Sequence, residues 1–256
     1  MSTTRSACPK APATERPARR AALVLCAHGT RGGLVEAPLH AARLARLGRF
    51  AEVRVASLTG EPTLGAVVAG LSADEVYVVP LLMAEGYTAA EVLPRALAEL
   101  PQNGRPVTLC RPIGSHPRMA DLLEKAATAT CRGRGWQPGE TALVVLGHGT
   151  PRNAASTGTA LDHAARLARR GRFARVETAF LEQAPGLAEV LESCASCRGT
   201  VVVGLFADRG LHPDLDVPRI LEAFGARAAY AGPVGALPEI GELILDRVGA
   251  ACVEAA

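Results

Sequence analysis

One segment occurs twice in this chain, and the repetition limits what the chain can fold into. Residues 23–30 read LVLCAHGT and residues 143–150 read LVVLGHGT. In both copies an apolar run leads into a histidine that is followed by glycine and threonine. Such a run is typical of a strand that is buried on both faces of a sheet. The sequence therefore predicts two buried strands that each end in a histidine.

The repetition extends over two units of about 120 residues each, a period too long for a solenoid. HAARLARLGRF at 40–50 returns as HAARLARRGRF at 163–173, and Pro94 aligns with Pro218. Apolar strands alternate with amphipathic helices in each unit, which predicts parallel sheets. We predict an α/β fold of two similar lobes, each a parallel four-stranded sheet flanked by helices, related by internal duplication.

The first unit shows the predicted elements most clearly. Its strands are predicted at Ala21–Ala27, Glu52–Leu58, Glu75–Leu82 and Val107–Cys110, and its helices at 35–47, 62–70, 89–100 and 117–130. The Gly-rich stretch Cys131–Glu140 is the predicted joint between the units. We predict a tail at 1–19, an N-terminal lobe at 20–135 with a degenerate site, and a C-terminal lobe at 136–256 with the metal site.

Composition narrows the class of protein. Hydrophobic residues make up 48% of the chain and aromatic residues 4%, which predicts an aliphatic core. A net charge of +3 gives no argument for nucleic acid, and no apolar run approaches the ~20 residues that span a bilayer. Seven scattered cysteines indicate a reducing compartment, which we expect to be the cytoplasm. Residues 1–19 are predicted to be disordered, with a transit peptide as the alternative.

Three potential metal ligands follow successive strands of the second unit. His148, Glu182 and His212 each stand after a predicted strand, where parallel α/β sheets bind their ligands. Two imidazoles and a carboxylate suit a divalent metal such as Fe²⁺ or Co²⁺. The aligned residues of the first unit are His28, Thr59 and Thr88, and hydroxyls bind such metals poorly. The sequence therefore predicts the metal site in the second lobe.

Other interpretations apply to single residues. A histidine after a strand can cap a helix or bond a buried carbonyl, and a lone glutamate is more often a solvated loop residue. The Cys194–Cys197 CxxC pair is a weak redox or metal signal, which we treat as incidental. His40 and His163 occupy equivalent positions and are expected to be structural. The glycines after His28 do not form a dinucleotide fingerprint.

Three motifs of the second unit resemble those of a known family. They are Gly147–Thr150 (GHGT), Thr178–Glu182 (TAFLE), and Gly210–His212 followed by Asp216–Pro218 (GLH and DVP). On these motifs the chain resembles the class II chelatases, specifically the two-lobe sirohydrochlorin chelatases of the CbiX/SirB type, over about residues 20–250.

The resemblance implies a lyase that inserts Co²⁺ or Fe²⁺ into sirohydrochlorin, on the routes to cobalamin or sirohaem. It implies that His148, His212 and Glu182 are the metal-binding and catalytic residues. The metal is then a substrate, and neither ATP nor an organic cofactor is expected.

Side chains beside the strand tips are candidates for binding the tetrapyrrole. Arg31, Arg152 and Arg209 are predicted to neutralise its peripheral carboxylates, although each of them alone is equally well explained as a solvated surface arginine. His28 is predicted to face the substrate from the first lobe.

The main alternative is a non-catalytic tetrapyrrole or metal carrier, which would use the same residues. A periplasmic solute receptor is disfavoured by the lack of a secretory signal in the sequence. A phosphotransfer enzyme would want an arginine beside His148, where Gly147 and Gly149 stand. We expect a small-molecule tetrapyrrole partner, no nucleic acid, no membrane, and a monomer or homodimer.

Overall fold

The apolar runs of the sequence form the strands of two sheets. The computed structural model describes residues 21–29, 33–100, 104–150, 154–210 and 212–254, except for the side chains of residues 154–156, 212 and 254. The strands are β1 (Ala21–Ala27), β2 (Glu52–Ser57), β3 (Glu75–Pro80), β4 (Val107–Leu109), β5 (Thr141–Gly147), β6 (Arg175–Phe180), β7 (Gly199–Gly204) and β8 (Ala228–Pro233).

Helices connect consecutive strands, as expected for parallel sheets. They are α1 (Glu36–Arg46), α2 (Leu64–Ala69), α3 (Leu93–Ala98), α4 (Met119–Arg134), α5 (Ala154–Arg169), α6 (Leu187–Ser193), α7 (Val217–Glu222) and α8 (Ile240–Glu254). Within the ranges described, no helix is both long and apolar enough to cross a membrane.

The two sheets have the same topology. Their strand orders are β2-β1-β3-β4 and β6-β5-β7-β8, and all paired strands are parallel. The register is also repeated, since Leu23 pairs with Val53 in the first sheet and Leu143 pairs with Val176 in the second. The predicted fold class is confirmed. Parallel strands bring all their carboxyl ends to one edge of each sheet.

Several predicted boundaries are shifted. Helix α4 continues to Arg134, into the predicted joint, because Cys131 is buried and extends the apolar face of the helix. The helix ends where Gly135 adopts a φ of 67°. Strand β3 ends at Pro80, two residues before the predicted Leu82, because Leu81 donates the last bond to β1 and the chain then turns.

A π-helical turn precedes the third helix of each repeat. Thr88–Val92 leads into α3 and His212–Asp216 leads into α7. The predicted helix at 89–100 is therefore divided into this turn and a short α-helix.

Alternate positions of the central strands face different cores. Leu25 of β1 and Val145 of β5 belong to one core that runs through both lobes. Val24 and Val144, which point the other way, belong to two separate outer cores. The inner core therefore joins the lobes, while each outer core belongs to one lobe.

The last helix of each repeat packs on the sheet of the other repeat. Helix α4 packs against β7 and β8, and α8 packs against β3. On α8, the thiol of Cys252 donates to the Tyr77 hydroxyl of β3 at 3.1 Å. The two repeats are contiguous in sequence and interleaved in space.

Two equivalent histidines hydrogen-bond across the lobes. Nε2 of His40, on α1, lies 2.8 Å from the carbonyl oxygen of Gly235, and Nε2 of His163, on α5, lies 2.7 Å from that of Gly114. A carbonyl oxygen only accepts, so Nε2 carries the proton in both rings. A Cβ on either glycine would lie 2.2 Å from a backbone atom, so both turns require glycine.

Candidate functional site

The loop after β5 carries His148 to the carboxyl edge of the second sheet. A Cβ on Gly147 would lie 3.1 Å from the ring of Phe180. Gly149 has a φ of 75°, and a Cβ there would lie 2.8 Å from Phe180 Cβ and 2.7 Å from Gln183 Cγ. The two glycines on either side of the histidine therefore allow its loop to pack closely against the end of β6.

His148 and Glu182 lie side by side at neighbouring strand tips. Nδ1 of His148 is 3.6 Å from Oε2 of Glu182, and the two side chains are 44% and 52% exposed. The backbone N–H of Glu182 donates to the His148 carbonyl at 3.0 Å, which joins the two loops. Nδ1 also lies 2.9 Å from the carbonyl oxygen of Gly149. A neutral ring in this contact carries its proton on Nδ1 and its lone pair on Nε2.

Gln183 is a further residue of this edge that sequence reasoning missed. Its Oε1 accepts from the Thr150 backbone N–H at 2.8 Å, and its Nε2 donates to the Thr157 hydroxyl at 2.9 Å. The amide therefore connects the His148 loop to α5. Its position next to Glu182 was the only available signal, because its partners lie 33 and 26 residues away in sequence.

His212 begins the π-helical turn that follows the tip of β7. The Asp214 N–H donates to the Gly210 carbonyl at 2.9 Å, and the Gly210 N–H donates to the Asp214 carboxylate at 3.0 Å. The turn is thus closed on itself. The His212 side chain lies outside the described atoms. Among the side chains that are described, no three histidines, cysteines, aspartates or glutamates are placed to hold a metal ion.

Of the three arginines predicted to bind the substrate, the structure describes Arg209. Its Nε donates to Oε1 of Glu36 in the first lobe at 2.9 Å, while 53% of its side chain stays exposed. Arg31 and Arg152 lie outside the described residues. Substrate binding by these arginines stays a prediction.

The first lobe repeats the geometry of the second with different side chains. The exposed His28 follows β1, and its carbonyl accepts from the hydroxyl of Thr59 at 2.8 Å. Thr59 occupies the position that aligns with Glu182, so a bond to the backbone stands where the second lobe has a carboxylate. Thr88, aligned with His212, begins the equivalent π-helical turn.

The CxxC pair lies at the opposite edge of the second sheet. Cys194 and Cys197 line a cavity of about 220 Å³, together with Thr200 at the start of β7 and Ala228 at the start of β8. Cys194 is buried, and burial raises the pKa of its thiol. The pair is separated from His148 by the length of the strands, so it lies outside the candidate site.

Comparison with known proteins gives consistent matches. The model of the CbiX family matches residues 22–130 and again residues 142–251. A probable sirohydrochlorin cobaltochelatase of Halobacterium salinarum is 29% identical over 264 aligned positions, which cover 88% of this chain and 90% of that protein.

Two solved structures resemble the chain over both lobes. CbiX, the terminal enzyme for sirohaem biosynthesis in denitrifying bacteria, is 28% identical with a TM-score of 0.70, and the match covers 91% of this chain and 99% of that one. A multi-domain Deinococcus radiodurans protein with structural similarity to chelatases is 28% identical with a TM-score of 0.70 over 89% of this chain. The chain spans about half, 54%, of that protein's length.

Proposed function

The chain belongs to the CbiX family, whose model matches both repeats, and we propose that it is a sirohydrochlorin chelatase, a lyase that inserts Co²⁺ or Fe²⁺ into its tetrapyrrole. The resemblance that the motifs indicated is confirmed at the level of the family. The name of the Halobacterium salinarum relative supports sirohydrochlorin as the substrate, and the denitrifier enzyme is named for sirohaem biosynthesis. The choice between cobalamin and sirohaem synthesis depends on which metal is inserted. Two histidines and a glutamate suit both Co²⁺ and Fe²⁺.

The observation that carries this proposal is the pairing of His148 with Glu182. An imidazole nitrogen and a carboxylate oxygen lie together at an exposed sheet edge, where a metal ion can approach from solvent. With the Nδ1 proton directed at Gly149, the Nε2 lone pair of His148 is the donor for the metal. His212, at the next strand tip, is the third proposed ligand. The metal enters and leaves as substrate, so the site must bind it weakly enough to release it.

Insertion of M²⁺ exchanges two pyrrole N–H protons for one metal ion, so two protons must leave the ring. Once the metal has moved from His148 to the pyrrole nitrogens, the Nε2 lone pair of the imidazole ring can accept one of these protons as a general base, and the other can leave to solvent at this exposed edge. The ring then becomes a cation, which the carboxylate of Glu182 at 3.6 Å stabilises. Glu182 thereby acts as a ligand or as the destination of a proton. The proposed reaction uses no ATP or organic cofactor.

The proposed place for the macrocycle is between the lobes, beside the strand tips that carry His148 and His28. Its peripheral carboxylates would meet Arg31, Arg152 and Arg209, and His28 would face it from the first lobe. The cytoplasm and a monomeric or homodimeric state remain our expectations for the protein.

The test is metal insertion by the purified full chain, followed through the absorbance change of sirohydrochlorin with Co²⁺ or Fe²⁺. We expect His148→Ala to lose about 100-fold or more of the rate, because it removes both a metal donor and a base. Glu182→Gln is expected to lose about 10- to 100-fold. Glu192→Gln, beside the distant cavity, is the matched carboxylate control and should keep the wild-type rate.

Turnover separates an enzyme from a carrier. A chelatase converts many equivalents of sirohydrochlorin per protein, whereas a carrier stops at one. Wild-type rates in both His148→Ala and His212→Ala would refute the proposed ligand set.

A further inference from the structure

Helix α1 of the first lobe begins without a capping residue of its own. Its N-cap position is Val35, whose side chain has no hydrogen-bonding group. Asp208, in the loop after β7 of the second lobe, supplies the cap. Its Oδ2 accepts from the Val35 N–H at 3.0 Å and its Oδ1 accepts from the Glu36 N–H at 3.0 Å. The first amides of a helix have no partners within the helix and favour a carboxylate, so this contact joins the lobes.

The next residue adds a second contact of opposite charge. Nε of Arg209 donates to Oε1 of Glu36 at 2.9 Å, and Glu36 is only 3% exposed. The backbone N–H of Arg209 also donates to Oδ1 of Asp208 at 2.8 Å, which holds the two residues in one conformation. We call these contacts the Asp208–Arg209 latch.

The residues of the latch are not repeated in the first lobe. The residues of the first lobe that align with the latch are Ala84 and Glu85, and alanine has no carboxylate to cap a helix. Glu85 instead accepts from Arg111 at 2.6 Å and from the Ser115 hydroxyl at 2.7 Å, both in its own repeat. The cross-lobe bonds of His40 and His163, in contrast, are symmetric. The asymmetric contact thus belongs to the lobe that has the predicted ligands.

Asp208 lies four residues before His212, and Gly210 between them is held by the closed turn described above. We propose that Asp208 is a positioning residue, which anchors the loop of His212 to the first lobe and so sets the distance of His212 from His148 and Glu182. This inference rests on the proposed function, since it takes His212 to be a metal ligand. It also gives the first lobe, in which two of the three ligands are replaced by threonine, a defined role as the support of that loop.

The test is Co²⁺ binding by the full chain without tetrapyrrole, measured by titration calorimetry and by the visible spectrum of the bound ion. Asp208→Asn keeps the size of the side chain but offers one oxygen acceptor and no charge. We expect the Kd for Co²⁺ to rise about 10- to 100-fold with an altered spectrum, as for other residues that orient ligands. The rate of insertion should fall with it.

Asp246→Asn is the matched control. The Asp246 carboxylate accepts from Arg118 at 2.8 Å, another charged contact between the two repeats, but it lies on α8 rather than in a strand-tip loop. We expect this variant to bind Co²⁺ like the wild type. If Asp208→Asn binds Co²⁺ like Asp246→Asn and with an unchanged spectrum, Asp208 only caps a helix and the inference is overturned.

Two further outcomes separate this inference from the proposed function. A wild-type protein that binds Co²⁺ but inserts none, together with a weakened Asp208→Asn, would refute the chelatase and support the positioning role. Should Asp208→Asn fail to fold, Asp208→Ser decides, because serine can still cap a helix but carries no charge and is too short to keep both contacts. A severalfold weaker affinity for Co²⁺ supports the inference, and wild-type affinity overturns it.

Discussion

The most sensitive single residue near the site is Gly149. Its φ of 75° alone makes an L side chain unfavourable, and a Cβ would also meet Phe180 and Gln183 below 3 Å. Gly171 is a matched position, with a φ of 61° and nothing within 4 Å of a Cβ. Comparing the two positions therefore separates backbone strain from steric overlap.

We predict that Gly171→Ala lowers the free energy of unfolding by about 1 kcal/mol. Gly149→Ala should lower it by about 3 kcal/mol, because overpacking adds to the same backbone strain. Urea unfolding measures both. Equal losses in the two variants would mean that the loop relaxes around the new methyl group and that its packing on β6 is loose.

Gln183 gives a second prediction at this scale. Gln183→Leu removes the bonds to Thr150 and Thr157 while nearly keeping the volume, so the His148 loop loses its connection to α5. We expect the rate of insertion to fall about tenfold, in the range found when groups that orient metal ligands are removed. The exposed Gln137→Leu is the control for the substitution itself. A rate equal to that of the control would show that the loop holds His148 without this amide.

The sequence predicts part of the site but not the contacts that hold its loops in place, for a physical reason. His148 and Glu182 are expected near each other because neighbouring parallel strands end at one edge. Asp208 and Arg209 find their partners 172 and 173 residues away, in the other lobe. No local pattern encodes such a contact, so the sequence indicates Arg209 only as a substrate ligand or as a solvated surface arginine.

Among the elements, α1 and α5 carry two equivalent pH-sensitive contacts between the lobes. Burial lowers the pKa of both His40 and His163, although the bonds to Gly235 and Gly114 oppose the shift. In the unfolded chain both rings have the usual histidine pKa of about 6.5. Below that pH the unfolded chain binds protons that the folded protein does not, so stability falls as the pH drops further.

We predict that His163→Gln reduces this sensitivity to acid. The glutamine amide can donate to the Gly114 carbonyl but does not titrate near neutral pH. The free energy of unfolding, measured by urea at about pH 7.5 and pH 5.5, should decrease less in the variant than in the wild type. An equal decrease would place the acid sensitivity in other groups.

The positions of the strands were easier to predict than the sheet against which each helix packs. The buried runs of β1 and β5 are continuous and apolar, so their positions follow from pattern alone. The apolar face of α4 shows that it packs against a sheet, but not against which one. A helix that follows β4 would be expected on the first sheet, and the structure places it on the second.

For the whole molecule, α4 and α8 are exchanged, since each packs on the sheet of the other repeat. We therefore predict that neither repeat is stable alone. A fragment of residues 20–135 lacks α8, whose side chains Ile240, Leu243 and Ile244 are fully buried. We expect this fragment to show no cooperative thermal transition and to bind a hydrophobic dye. Mixing it with residues 136–256 should restore a cooperative transition. A sharp transition in the isolated fragment would contradict this expectation.

The exchange also determines how the chain can fold while it is being made. Domains usually fold in order as they leave the ribosome, the first before the last is synthesised. Here β3 is made long before α8, the helix of the other repeat that covers it. Part of the apolar face of the first sheet therefore stays uncovered until the second lobe has been synthesised as far as α8. We expect this exposed face to favour aggregation of the nascent chain during that interval. An arrest of translation before α8 would release a protein whose first sheet is still uncovered.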